Sequence, residues 1–336
     1  MKELTLIYNN SDPSEGGIPR FNHRIIQGFE EENIGHEKID FTEFNGKNTL
    51  EKIYNLTYGR RKYIKERKDK LSEVNLFLHP EVYFNTGKTD IVVVHDLFMK
   101  ENPPKDFQGR IRNKAYIKRL EKAFQNAEKF IAVSTQTKQK LIQDGINEEK
   151  ISVVNHGVRE KFSIQKEYSE RENRIGCLGG FIERKRVGKL LKDFQNNHEK
   201  LEDYKLILGG TGGEKEQELK KKYSGKEKIQ FEGKIPEENL VDWYNNLKAL
   251  IMPSELEGFG LPILEAIASG TPVFVYEDAK IPEEVKKHCH KINSVEEISE
   301  NIENKDAELK KKSERIHKEF SWDKTVHKVV KTIETV

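Results

Sequence analysis

Two carboxylates, Glu257 and Glu265, stand with seven residues between them in the stretch IMPSELEGFGLPILEAIASGTPVFV, from Ile251 to Val275. Gly258, Phe259, Gly260 and Leu261 lie between them, Pro262 sits well for a helix start, and Gly270 for its close. The pattern predicts a strand ending at Met252, a loop, and a short helix holding Glu265 in its first turn. Backbone N–H groups at such a loop and helix start suit an anionic or polar ligand. A Glu near a helix start also reads simply as a group complementing the helix dipole. Upstream, Gly179-Gly180-Phe181-Ile182-Glu183-Arg184-Lys185 follows an apolar run ending at Leu178. Arg184 offers a planar fork and Lys185 a point charge to phosphate oxygens, while the run Arg184 to Arg186 equally fits a solvated helix start.

These loops need strands to hold them. Short β-branched runs alternate with helical periodicity: Leu4 to Tyr8, Asn75 to Leu78, Ile91 to Val94, Phe130 to Val133 and Ile151 to Val154. A second series runs Arg174 to Leu178, Lys205 to Leu208, Lys228 to Phe231, Ala249 to Met252 and Pro272 to Val275. The fold class is therefore α/β, with parallel sheets covered on both faces. The polar, poorly periodic stretch GVREKFSIQKEYSEREN (157–173) predicts a hinge, with domains over 1–160 and 161–320. Ligands in such sheets bind at the carboxyl ends of strands, and a cleft between the two domains is the expected site. The last segment, 321–336, has Ser321 as N-cap and Val326, Val329, Val330 and Ile333 at helical spacing, a docking helix expected to return to the first domain.

At 336 residues the chain exceeds what one core usually supports. Its 59 basic and 57 acidic groups leave a net charge of +2, which demands no nucleic acid partner. No apolar run approaches the roughly 20 residues that span a bilayer, and Met1 leads into no signal-peptide core, so a cytoplasmic protein is expected. Cys177 and Cys289 form no CxxC pair and read as reduced structural thiols.

The string PSxxEGFGLPxLEAxAxGxPV resembles the E-x7-E signature of the GT4-type retaining glycosyltransferases of the GT-B fold, which take sugar from a nucleotide donor. Other segments agree in order across nearly the whole chain. Gly16-Gly17-Ile18 resembles the family's N-terminal glycine loop, and His95-Asp96 its histidine at the end of an N-domain strand. AEKFIAVST (127–135) and VVNHGV (153–158) are similar to the later N-domain strands and the interdomain turn. Gly179 to Lys185 matches the donor-diphosphate loop, Leu208 to Gly213 the second glycine-rich turn, and Phe231 to Ile235 the segment near the base. Three departures stand out. Arg186 follows Lys185 where glycine is usual, Arg159 ends the interdomain turn where an acid is common, and the chain is short for the family.

The resemblance implies two Rossmann-like domains facing across a cleft, the first for acceptor and the second for donor. It implies transfer of sugar, with retention, from a UDP- or GDP-linked donor to a hydroxyl of a glycan or lipid-linked acceptor. Glu265 would hold the ribose hydroxyls, Glu257 the sugar hydroxyls, and amides of Phe259, Gly260 and Leu261 the sugar or phosphate. Gly16, Gly17, Gly180, Gly210, Ile235 and Gly258 complete the implied donor site. Arg184 and Lys185 would stabilise the charge on the leaving diphosphate. His95 would contact the donor sugar; a buried structural histidine is the competing reading. No two aspartates occur at i and i+2, so no DxD metal site is indicated, and neither metal nor other cofactor is expected.

Two segments, 58–70 and 105–122, each hold seven basic and two acidic side chains. They suit anionic lipid headgroups on an inner membrane face, or else two solvated helix faces. A dinucleotide oxidoreductase is disfavoured because no GxGxxG follows the first strand. A phosphorylase or epimerase of the same fold remains an alternative, as does a non-catalytic sugar-binding protein, although intact Arg184, Lys185, Glu257 and Glu265 argue against a decayed site.

Overall fold

The computed structural model of the chain describes residues 3–42, 59–104, 106–197, 199–223, 225–302 and 306–336. It divides into two compact units, Met1–His156 with Trp322–Val336, and Gly157–Ser321.

The first unit carries β1 (Leu4–Tyr8), α1 (Gly17–Glu31), β2 (Glu37–Asp40), β3 (Val74–Phe77), β4 (Thr89–Val94), α2 (Phe107–Asn126), β5 (Lys129–Ala132) and β6 (Ile151–Val153). Its sheet is wholly parallel, in the order β2-β1-β3-β4-β5-β6. The second unit carries β7 (Glu172–Leu178), α3 (Val187–Asn196), β8 (Lys205–Gly209), β9 (Ile229–Gly233), α4 (Leu240–Asn245), β10 (Leu247–Met252), α5 (Leu261–Ala268), β11 (Val273–Tyr276) and β12 (His290–Ile292). Its parallel sheet runs β12-β11-β10-β7-β8-β9. Numbered within the unit that order is the doubly wound one, with its topological switch point between β7 and β10.

The apolar runs became the central strands: β1, β3 and β10 are buried almost throughout, as helices on both faces require. Two strands were not read from the sequence, β2 (EKID) and β12 (HKI). Both are sheet edges, short and half exposed, so little in them had to be apolar.

The final helix, α6 (Trp322–Ile333), belongs to the first unit and packs on α1. Gly28 makes the contact possible, since a Cβ there would lie 2.3 Å from Val326 Cγ2. The second unit starts at Gly157, and the stretch 157–173 belongs to it. Val158 N–H donates to the Phe320 carbonyl at 2.7 Å, and Phe162 and Tyr168 are buried. Arg171 donates to Thr271 Oγ1 at 2.9 Å and to the Ser269 carbonyl at 2.8 Å. The polarity that suggested a linker thus satisfies buried carbonyls. Among the described residues no helix is long and apolar enough to cross a membrane.

Candidate functional site

In the second unit the loops after β7 and β10, on either side of the switch point, are tied together through their backbones. Glu255 N–H donates to the Arg184 carbonyl at 2.7 Å, Lys280 N–H to the Glu255 carbonyl at 2.7 Å, and Glu257 N–H to the Lys280 carbonyl at 3.2 Å. Residues 183–185 form a single 3-10 turn. Arg186 then takes a left-handed conformation, φ 46°, before α3 begins. Such a backbone favours glycine, so the family's usual residue has a physical reason there. Arginine offsets the strain with its side chain: it donates to the Pro253 carbonyl at 2.8 Å, the Ser254 carbonyl at 3.2 Å and Asp278 at 2.7 Å.

This scaffold brings three of the expected residues together. Glu257 is buried, with Lys185 Nζ 2.5 Å from Oε1 and Arg184 Nη1 3.5 Å from Oε2. Arg184 Nη1 also donates to the Leu256 carbonyl at 2.9 Å. Burial pushes the Glu257 carboxyl up, but the Lys185 and Arg184 charges outweigh it and hold the group below the usual carboxylate range. Both cations therefore spend part of their charge on Glu257.

The helix α5 starts at this cluster. Gly260 is its N-cap, with φ 105°, and Leu261 its first residue. Phe259 is buried edge-on against Phe320, centroids 5.9 Å apart. Because the helix begins at Leu261, Glu265 lies in its second turn, not the first as the sequence suggested. It is buried: Tyr244 OH donates to Oε2 at 3.1 Å, and Arg159 Nη2 lies 3.6 Å from Oε1. Sequence reading noticed Arg159 only as a departure and missed Tyr244.

Gly180 and Gly210 sit where the turns after β7 and β8 meet. A Cβ on Gly210, φ 130°, would stand 1.8 Å from the Gly179 carbonyl oxygen, and one on Gly212 would stand 2.4 Å from Phe181 Cβ. These glycines are needed for the turns to pack on each other, whatever ligand they meet. Ile235 closes over Gly209, where a Cβ would lie 2.8 Å from its Cγ1.

In the first unit, Gly16, φ 130°, is the N-cap of α1 and Gly17 its first residue. His95 follows β4 and is buried. Its Nε2 is 3.1 Å from the Leu78 carbonyl, an acceptor only, so Nε2 carries the proton and Nδ1 is left as an acceptor. His79, absent from the sequence reading, and His156, present there only within VVNHGV, have ring centroids 5.8 and 5.5 Å from that of His95, and Phe21 stands edge-on at 5.0 Å. Burial holds the His95 imidazole well below its usual value, with His156 and His79 adding to the effect. The ring is neutral at pH 7. Among the described residues no cluster of three or more His, Cys, Asp or Glu side chains has metal-binding geometry.

Two families match the chain. The one described as Glycosyl transferases group 1 covers residues 158–319, and Glycosyltransferase Family 4 covers residues 77–162. The chain is 33% identical over 133 residues to O-antigen chain mannosyltransferase RfbU of Salmonella typhimurium, covering 39% of this chain and 36% of the relative. It thus spans about a third of the length of the curated relatives it matches. Among solved structures, sucrose-phosphate synthase from Thermosynechococcus elongatus aligns over 100% of this chain and 99% of its own, with TM-score 0.76 and 16% identity. Anabaena HepE in complex with UDP aligns over 100% of both chains, with TM-score 0.71 and 15% identity. At such identities the structural matches establish the fold, two Rossmann-like domains.

Proposed function

Because the chain belongs to the GT4-type glycosyltransferases of the GT-B fold, we propose that it moves a sugar from a UDP- or GDP-linked donor to an acceptor hydroxyl of a glycan or glycolipid, in the cytoplasm and with retention at the anomeric carbon. The observation that carries this reading is the cluster at the switch point of the second unit: Arg184 and Lys185 on Glu257, beside the N-terminus of α5. As the glycosidic bond breaks, the departing diphosphate gains charge. Arg184, Lys185 and the amides of Phe259, Gly260 and Leu261 are the fixed positive groups that favour this state over the bound donor. They supply that charge without a metal ion. Lys185 is then shared between phosphate and Glu257, whose carboxylate accepts from sugar hydroxyls. Ion-paired in this way, Glu257 is a poor nucleophile, so the reading takes the front-face route. The acceptor oxygen bonds to the anomeric carbon on the side the diphosphate leaves, and the acceptor's proton passes to a phosphate oxygen. His95, neutral and with Nδ1 an acceptor, serves as a hydrogen-bonding group to the donor sugar rather than as an acid.

Thermal-shift measurements against UDP, GDP and their sugars test the reading. One nucleotide should raise the melting temperature, since saturation at 100 times Kd adds about 2.7 kcal/mol. With the donor so identified, Arg184→Ala is expected to lower kcat/KM by roughly 10² to 10³ fold. No shift with any nucleotide, or a variant at near wild-type turnover, contradicts it.

A membrane contact is proposed with it, through α2 alone. Tyr58 and Lys105 of the two basic segments lie outside the described residues. Within 59–70 the cations are partly used internally: Arg60 donates to the Val82 carbonyl and stacks 4.5 Å over Phe41, and Arg67 lies 3.5 Å over Tyr63. On α2, by contrast, Arg110, Arg112, Lys114 and Lys118 are exposed, and Phe107 and Ile111 stand 78% and 47% exposed beside them. Arg110, Lys114 and Lys118 border a groove of about 550 Å³ with Pro103 and Ile117. Cations around exposed apolar side chains suit an anionic bilayer surface. Sedimentation should show binding to anionic vesicles that weakens with salt and with Phe107→Ser; equal binding to neutral vesicles contradicts the contact.

A further inference from the structure

Arg186 is a joint between two elements. The 3-10 turn that carries Arg184 and Lys185 ends at it, and α3 begins at the next residue. Its carbonyl accepts from Lys189 N–H at 2.9 Å, so its backbone sets the line along which the helix starts. The φ of 46° is one that glycine adopts freely and any residue with a Cβ adopts at a cost. Glycine is what the family usually carries after the lysine. The side chain of Arg186 reaches the loops after two other strands. Nε donates to the Pro253 carbonyl at 2.8 Å and Nη2 to the Ser254 carbonyl at 3.2 Å, both in the loop after β10. Beyond β11, the Asp278 carboxylate takes Nη1 at 2.7 Å and Nη2 at 3.1 Å, a two-pronged ion pair that Lys189 Nζ joins at 3.7 Å.

Cations stabilise a departing anion best when they are already in place, because moving them during the reaction costs part of what the contact returns. A turn of three residues, 183–185, has little packing of its own to hold Arg184 and Lys185 still. The backbone bond from Glu255 N–H to the Arg184 carbonyl ties it to the loop after β10. Arg186 adds a tie to the same loop and extends it to the loop after β11. The Arg186 partners are protein acceptors and its side chain is only 15% exposed, so its charge is directed at holding loops together. We propose that Arg186 is a positioning residue, a clamp across three loops that presets Arg184 and Lys185 for the diphosphate where relatives rely on glycine for the turn alone. The inference rests on the function proposed above, in which Arg184 and Lys185 meet the diphosphate.

The test compares, by titration calorimetry, Kd for UDP or GDP, whichever stabilises the wild type, with Kd for the matching monophosphate. Their ratio reads the contact with the outer phosphate. Wild type should prefer the diphosphate by about 10-fold or more, the scale of a hydrogen bond between charged groups. Arg186→Gly suits the left-handed backbone and removes the clamp, so it is expected to fold and to cut the preference to about threefold or less. Asp278→Asn loosens the clamp from its exposed end and should lower the preference in the same direction, while Arg186→Lys falls between wild type and Arg186→Gly. Should Arg186→Gly fail to fold, Asp278→Asn and Arg186→Lys decide. A merely structural arginine would change the melting temperature, or both Kd values alike, and leave the ratio as in wild type; that result in folded variants overturns the positioning role. A preference that rises in Asp278→Asn also overturns it, since a guanidinium freed from its carboxylate would then be binding phosphate itself. Wild type that binds monophosphate and diphosphate equally overturns the placing of Arg184 and Lys185 at the diphosphate, leaving nucleotide binding intact. Wild type that binds neither overturns the underlying function.

Discussion

His79, His95 and His156 are residues whose charge depends on the fold. Burial lowers His79 and His95, and brings His156 down to about 3, with the nearby Arg20 charge contributing. A histidine depressed in the folded state contributes stability that is complete above its unfolded value, near 6.5, and lost as pH falls towards the folded value, because the unfolded chain binds the proton first. Urea unfolding of the first unit should therefore weaken steadily from pH 6.5 to pH 4, by up to about 1.4 kcal/mol per pH unit for each histidine. His156→Gln should remove one histidine's share of that slope. A profile flat across this range contradicts the burial of the three rings as neutral groups. Residues of this kind were only partly legible. His95 was visible because it follows a strongly apolar strand, whereas His79 and His156 gain meaning only from rings that the fold sets beside it. Arg186 is similar: its partners, Pro253, Ser254 and Asp278, lie 67 to 92 positions along the chain. Sequence spacing shows none of this.

At the scale of elements, the central strands were legible because both their faces are buried, which forces continuous apolar runs. The edges β2 and β12 escaped for the opposite reason. The stretch 157–173 is polar for a reason its sequence does not show: Arg171 donates to carbonyls of Leu247 and Ser269. Glycine was informative about where turns lie and less so about why. Gly210 was expected in the donor site, and the turns after β7 and β8 need both it and Gly212 to pack on one another. The helix α5 was placed nearly to the residue, since Gly260 and Gly270 both take left-handed conformations at its ends, with φ 105° and 72°. A one-residue difference at the helix start nonetheless moved Glu265 from the expected first turn to the second.

For the whole molecule, the charge of +2 divides unevenly, +4 over residues 1–165 and −2 over residues 166–336. The basic excess falls in the unit that carries α2, while the second unit concentrates a few cations at its switch point. The account rests on that second unit holding a nucleotide diphosphate there. Hydrogen exchange with and without the stabilising nucleotide tests this most directly, since it reports backbone amides one segment at a time. The account predicts slowed exchange in the turns at 179–186, 209–213 and 253–261, with the rest of the chain little changed. Slowing confined to the first unit, or none in these three segments while the melting temperature rises, would contradict it.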